Sequence, residues 1–512
     1  MKVFDDIMTW VKHHSGDKCD IWNQKIYPRK TLIKTVSSIF KLESLKPTYA
    51  NVELVSRKAI VSVPKFDFTA LLCDMFNDRR IMQESNFCEE IDVQTGKLKN
   101  SISNEDSDVY GDFCTGDLFK IACDKYANGA DDYAVPLVCF YDKSHTDSTG
   151  ALSTSPFQFT LATLRQPIRE HTWAWRVLGY CPNLGVGKGK NHSANTALKC
   201  QDEHNVLKEV FSSLRLMIEK GFKTVIFGKE VNVKVWIHCV IGDSAGNNVL
   251  CGHYNYFGDT IRPCRKCKCA FNKLDCGKCE CVNVTLQELS ELGNDPKEWS
   301  AISKHNISNA FSKLPLSDDV HGIMGITPPE TLHVFLVGIY KYMIAAVHDI
   351  MGLKDANKRG KEALDVIFQN VANDLGRQSD RDFPRWSNRF GINDKTRLTG
   401  GERKGNLLIL LLVLHTTTGT SIVKPRCKKQ KPEISYTRLK KTIASILSYK
   451  HWCGGIHPKE VVQQAGRAVE KAINELKKNL PRKYKQGWKI IKLHSAVMLP
   501  DEMKKFGCGK KY

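Results

Sequence analysis

Lys234–Asn248, "KVWIHCVIGDSAGNN", decides how the chain is read. Val235 to Ile241 is an apolar run rich in β-branched residues, the composition of a strand buried on both faces. It ends on Gly242-Asp243 and falls into small polar residues. "VPLVCFYD", Val135 to Asp142, has the same form. Aspartate is depleted in strands, so a carboxylate that closes two such runs calls for a reason. Where a backbone leaves the core, its next side chain stands at the sheet rim. Two carboxylates delivered to neighbouring rims can hold hard divalent cations through oxygen. Two such ions about 3.5–4 Å apart support phosphodiester chemistry. For either Asp alone, a turn residue is an equally good reading, and Asp147 is an alternative to Asp142.

A third acid is sought further on. Glu330, in "ITPPETLH", is the candidate, with His333 one turn later. Thr327-x-x-Glu330 also has the form of a capping box, and the prolines suit a first helical turn. The same glutamate therefore has a purely structural reading.

The surrounding pattern is strand, strand, strand, helix, strand. After Val135–Tyr141, "PFQFTLATL" alternates Phe157, Phe159 and Leu161 on one face. "AWRVLGYC" is the third strand, and "DEHNVLKEVFSSLRLMIEKGF" has the helical period with Gly221 as its stop. The 512 residues suggest about two to four domains. Composition divides them into an N-terminal mixed α/β accessory region (1–130), the first part of an α/β core (131–250), a cysteine-rich insertion (251–285), the rest of the core with the third acid (286–420) and a basic helical region (421–512). "FDFTALLCDMFNDRRIM" and "TPPETLHVFLVGIYKYMIAAVHDIM" read as helices.

The insertion, "CGHYNYFGDTIRPCRKCKCAFNKLDCGKCECV", holds Cys264-x-x-Cys267 and Cys276-x-x-Cys279. Two thiolates two residues apart grip one side of a tetrahedral Zn²⁺, and a second pair closes it. Cys269, Cys281, Cys251 and His253 are spare ligands. A free-thiol cluster and an iron–sulfur site remain alternatives. The 19 cysteines are read this way because the compartment is expected to be reducing.

Net charge is +21, from 76 Lys+Arg against 55 Asp+Glu, which favours a polyanionic partner. Arg262, Arg265, Lys266, Lys268, Lys273 and Lys278 lie in the insertion. Lys424, Arg426, Lys428, Lys429, Lys431, Arg438, Lys440 and Lys441 cluster against one acid, Glu433. Arg262, Arg265, Lys266, Lys428 and Lys429 are taken as phosphate contacts, against the duller reading of solvated basic faces. The start has no apolar core of signal-peptide length. "LLILLLVL", Leu407 to Leu414, is too short to span a bilayer, which needs about twenty residues. The reading expects no membrane partner and an intracellular protein.

In order along the chain, the strand ending at Asp142, "FTLATL", "WRVLGY", "IGDSAGN", "RPCRKCKC" and "PPETLHVFLVGIYKYM" resemble the transposases of CACTA-type cut-and-paste DNA transposons, the Plavaka-like branch above all. The resemblance covers most of the chain, and the order of the motifs carries it. It implies a ribonuclease H-like mixed α/β sheet with a DDE/D triad and a cysteine-containing insertion between the second and third acids. Asp142 matches the first acid, Asp243 the second and Glu330 the third. The implied chemistry is Mg²⁺- or Mn²⁺-dependent strand cleavage at transposon ends, followed by attack of the 3′-hydroxyl on target DNA, in the nucleus. A homo-oligomer is left open. The pattern would continue past "GCGKKY", and no helix-turn-helix stands out. The alternative is therefore a catalytically inactive, nucleic-acid-binding zinc protein derived from such a transposase.

Overall fold

The computed structural model describes residues 46–99, 109–145, 153–182, 184, 192–255, 260–350, 358–374, 400–430, 435–482 and 486–507. Residues 49–512 form one compact unit. From residue 49 onward the segments separated by composition are therefore parts of one body, and strands that precede residue 130 belong to the main sheet.

That sheet is mixed. Its strands are β1 (Thr48–Leu54), β2 (Ala59–Lys65), β3 (Asp132–Tyr141), β4 (Ser153–Leu161), β5 (Arg176–Pro182), β6 (Lys223–Ile226) and β7 (Lys229–Ile241). Their order across the sheet is β1-β2-β5-β4-β3-β7-β6, and the two-residue strand Ser144–His145 pairs with β4 off this path. β3, β4 and β5 are antiparallel neighbours, while β7 runs parallel to β3. A parallel pair needs a long crossover. Here it is β4, β5 and then the helices α3 (His192–Val210) and α4 (Ser212–Lys220), with α1 (Phe68–Asn77) and α2 (Asp117–Tyr126) lying earlier in the chain. Gly221 ends α4 at φ 72°, the positive φ that glycine adopts without penalty.

β7 lies next to the edge of the sheet, between β3 and β6. Its first half alternates in burial and its last seven residues are all buried. The apolar run ending at Ile241 is thus covered on both faces, as its composition requires. Trp236 is fully buried, tilted against Tyr126 on α2. On the side away from β3, the backbone N–H of Ile237 donates to Pro315 O at 3.0 Å and that of Val240 to Ile326 O at 2.8 Å. The chain therefore returns along β7 before it reaches Glu330.

The C-terminal part is helical. A π-helical segment, Leu332–Ile339, runs into α5 (Tyr340–Ile350). It is followed by α6 (Lys358–Asp374), α7 (Gly400–Val413), α8 (Thr417–Gln430), α9 (Tyr436–Trp452), α10 (Lys459–Asn479) and α11 (Ile491–Phe506). Phe335, Met343, Leu410, Ile443, Ile473 and Leu499 share one apolar core there. "LLILLLVL" is buried in it through Leu407, Ile409, Leu410, Val413 and Leu414. Among the described residues no single helix is long and apolar enough to cross a membrane. One helix pair, Gly401–Val413 with Thr417–Pro425, passes on length and composition together but bends through 91°.

Candidate functional site

β3 and β7 end at the same edge of the sheet, and a one-residue bulge sets how they end. The offset between paired residues is 100 at Val235↔Val135 and 101 at Ile241↔Phe140, because the register shifts between Ile237 and Cys239. His238 is the extra residue. Carried past the last rung, an offset of 101 places Asp243 opposite Asp142. Without the bulge Gly242 would stand there and Asp243 would turn to the other face. The bulge is held in place: Ser317 Oγ donates to His238 O at 2.7 Å. The imidazole is packed edge-on to Phe113, Phe119 and Phe506, and burial pushes its pKa down to about 3. Gly242 is required by close approach, since a Cβ there would lie 2.3 Å from Tyr141 O.

Asp243 is also a helix cap. Its Oδ1 accepts the N–H of Gly246 at 2.6 Å at the start of the short helix Ser244–Leu250. Asp142 Oδ1 accepts the N–H of Lys143 at 2.7 Å. Burial, then the charge of Asp243, raises the pKa of Asp142, with Glu330 contributing and His333 opposing. Asp243, Glu330 and His333 therefore lie within electrostatic reach of Asp142.

Glu330 is only 12 % exposed at its side chain. The capping box read from Thr327 does not form. Thr327 Oγ1 instead donates to Ile323 O at 3.0 Å and takes the guanidinium of Arg265. Glu330 itself caps the next helix, accepting the N–H groups of Leu332 at 2.8 Å and His333 at 3.0 Å, and its Oε2 meets His333 Nδ1. That contact is the leading cause of a raised His333 pKa. Because Glu330 turns its oxygens to its own helix, the three acids do not share the 4.8 Å shell that the thiols described below do.

A cation that sequence reasoning missed completes the site. Lys492, in the first turn of α11, donates to Ser244 Oγ at 2.6 Å. Burial, then Arg265, lowers its pKa to about 8, while Asp243 and Glu330 pull it up. Lys492 lies far from the acids in sequence and on a helix of mixed pattern, so no local signal marks it.

The cysteine insertion packs against the same helix. Cys264, Cys267 and His494 have donor atoms all within 4.8 Å of one another, as do Cys267, Cys279 and Cys281. Cys267 Sγ lies 3.2 Å from His494 Nε2 and 4.0 Å from Cys279 Sγ, and Cys279 Sγ lies 3.9 Å from His494 Nε2. Cys269 is buried in the same cluster as Cys264 and Cys267, with Cys279 and Cys281 packed against it. Cys264, Cys267 and Cys269 are buried. These clusters can hold a thiophilic metal ion, and the spacings suit one. Cys276 is the exception among the expected ligands. It is exposed, and its Sγ turns to Lys278 O at 3.0 Å. His494 and Cys281 stand where the second Cys-x-x-Cys was expected to close the site. The spare ligands Cys251 and His253 are used elsewhere, on Thr327 Oγ1 and on the carbonyls of Tyr254 and Arg262.

α11 joins the two centres by one face. His494, Met498 and Glu502 recur every four residues, the spacing that stacks side chains along a helix. His494 meets the thiols, Met498 sulfur lies 4.0 Å from Cys264 Sγ, and Glu502 takes Lys266 Nζ at 2.6 and 2.7 Å.

That last pair corrects the phosphate-contact reading of the insertion. Lys266 is buried and committed to Glu502. Arg265 is buried and donates to Thr327 O at 2.8 Å and Pro328 O at 3.3 Å. Arg262 is partly buried and turns to the carbonyl of Lys268. A buried cation must be paired, so these side chains organise the insertion instead of facing solvent. In the C-terminal stretch, Lys424, Arg438 and Lys441 are exposed, while the side chains of Lys428 and Lys429 lie outside the described residues.

A third group, Cys88, Glu90 and Cys114, also has donor atoms within 4.8 Å of one another. Arg169 is buried close to these thiols and pairs with Asp112 at 2.6 Å, which disfavours a metal cation there.

No protein-family model matches the sequence, and no curated protein matches it significantly.

Proposed function

We propose that this chain is a DDE-type, transposase-like protein acting on DNA phosphodiester bonds, with Asp142, Asp243 and Glu330 as its carboxylates. The observation that carries the reading is the bulge at His238, whose shifted register, extended beyond the last pair Ile241↔Phe140, would set Asp243 opposite Asp142. The mixed sheet, with three antiparallel strands and then a parallel one, is consistent with a ribonuclease H-like core. The donor set is all oxygen, which fits Mg²⁺ or Mn²⁺. No bond to the Oδ2 of Asp142 or Asp243 is found among the described residues. Bound divalent ions would supply Lewis-acid activation of a water or 3′-hydroxyl and of the leaving oxygen. The protein's part is to present the carboxylates, to hold Asp243 as a cap and to carry His333 and Lys492 beside them. The net charge of +21 supports DNA as the partner and the nucleus as its place. Zinc in the thiol cluster would serve structure, tying the insertion to α11.

A second reading is favoured by one observation. Both oxygens of Glu330 are engaged, and the Lys492 ammonium stands beside the acids. A site that neutralises itself suits a domesticated DNA-binding protein that has lost catalysis. A nicking assay on supercoiled DNA with Mg²⁺ or Mn²⁺ decides. Cleavage by the wild type and none by Asp243→Asn is expected. Equal activity of the two proteins, or none in either, would remove the catalytic reading.

A further inference from the structure

The thiol cluster offers more donors than one ion takes. A tetrahedral zinc uses four. Six lie together here: Cys264, Cys267, Cys269, Cys279, Cys281 and His494. Two three-donor groups, Cys264–Cys267–His494 and Cys267–Cys279–Cys281, have Cys267 in common, and Cys279, 3.9 Å from His494, links them.

The spacings fit metal edges. With Zn–S near 2.3 Å and Zn–N near 2.0–2.1 Å, a tetrahedron has S···S edges of about 3.8 Å and S···N edges of about 3.6 Å. Cys267 meets Cys279 at 4.0 Å and His494 at 3.2 Å. Cys269 is buried in one cluster with Cys264 and Cys267, against which Cys279 and Cys281 pack, so it borders both groups, as does Cys279, 4.0 Å from Cys267 and 3.9 Å from His494. Two tetrahedral ions present eight coordination positions in all. Six donors fill them when two thiolates bridge.

We infer that the insertion and α11 together build a binuclear zinc cluster in which the Cys267 thiolate bridges two ions. Cys264 and His494 are terminal ligands of the inner ion and Cys281 is a terminal ligand of the outer one. Of Cys269 and Cys279, one is the second bridge and the other completes the outer ion. The inner ion is the one that fastens α11, and so the helix carrying Lys492, to the core. The inference rests on the zinc reading of the cluster and is independent of catalysis at the carboxylates.

Zinc per chain, measured by elemental analysis on the full-length purified protein, is expected to be two. Cys281→Ser is expected to leave one, and Cys276→Ser to leave two. One zinc in the wild type overturns the binuclear inference while leaving a zinc site. None overturns the metal reading itself. Because a cysteine variant can fail to fold, the wild type is also loaded with ¹¹³Cd and examined by NMR. Two thiolate-shifted resonances with mutual scalar coupling are expected. A single resonance, or two without coupling, overturns the shared thiolate.

Discussion

Lys492 Nζ lies 2.6 Å from the hydroxyl of Ser244, the residue directly after Asp243. A helix more than two hundred residues downstream thus puts an ammonium beside the carboxylate that follows β7. That ammonium and a divalent cation would compete for the same negative charge.

Replacing it tests the competition. Lys492→Met keeps the length and apolar stem of the side chain and removes the charge. Mn²⁺ affinity, measured by calorimetry at pH 7, is expected to rise roughly three- to tenfold, the equivalent of about 1 kcal/mol for one charge at partly screened range. In the wild type the same gain is expected as pH rises through about 8, where the half-buried lysine loses its proton. An affinity that is unchanged in the variant and flat across that pH window would show that Lys492 does not compete.

Asp243 has two separable jobs, cap and carboxylate. Asparagine caps a helix about as well as aspartate, whereas alanine costs roughly 0.5–2 kcal/mol. Asp243→Asn is expected to keep the wild-type denaturation midpoint and lose divalent binding. Asp243→Ala is expected to lose both. Equal destabilisation by the two variants in urea melts would mean that the charge, and not the cap, sets the stability.

The strands and both aspartates were legible because they are local. An apolar run ending in Gly-Asp needs only its neighbours to be understood, and β3 and β7 lie where the composition put them. The alignment of the two acids was not legible. It depends on one extra residue, His238, whose reason is a cage made of Phe113, Phe119 and Phe506 from distant segments. The cysteines were visible as a cluster, but spacing favoured Cys276 over the ligand that α11 supplies. His494 is a lone histidine in an ordinary helix, and only tertiary packing makes it a donor. The basic residues misled for the reverse reason. Arg265 and Lys266 sit in a loop that reads as exposed, yet Glu502 and the carbonyls of Thr327 and Pro328 draw them inward.

The Lys266–Glu502 pair is the firmest electrostatic tie between the insertion and α11, with side chains 3 % and 4 % exposed. Removing one partner of a buried pair leaves an uncompensated charge and costs about 3–5 kcal/mol. Glu502→Gln is expected to lower stability by that order in chemical denaturation, and Lys266→Met with Glu502→Leu together to recover much of it. A loss under 1 kcal/mol in Glu502→Gln would mean that Gly325 O, which accepts from Lys266 Nζ at 3.3 Å, and the amide oxygen of the new side chain already satisfy the ammonium.

His333 gives the site a pH dependence of its own. Its contact with Glu330 raises its pKa above the ordinary value, so the pair contributes stability that is complete below about pH 6.5. That contribution is lost as pH rises through the raised pKa and the imidazole becomes neutral. The same loss frees the charge of Glu330 toward Asp142 and Asp243. Divalent affinity is therefore expected to climb across the His333 titration, a step separate from the one that Lys492 adds near pH 8. His333→Gln removes the titrating group while keeping a side chain that donates to Glu330. In that variant the lower step is expected to vanish, with affinity at pH 6 raised to the wild-type value above the step. NMR titration of the His333 ring in metal-free protein, run beside Mn²⁺ calorimetry at matched pH, checks both ends. A lower step that survives in His333→Gln would assign it to Asp142, whose own pKa is raised by burial and by Asp243.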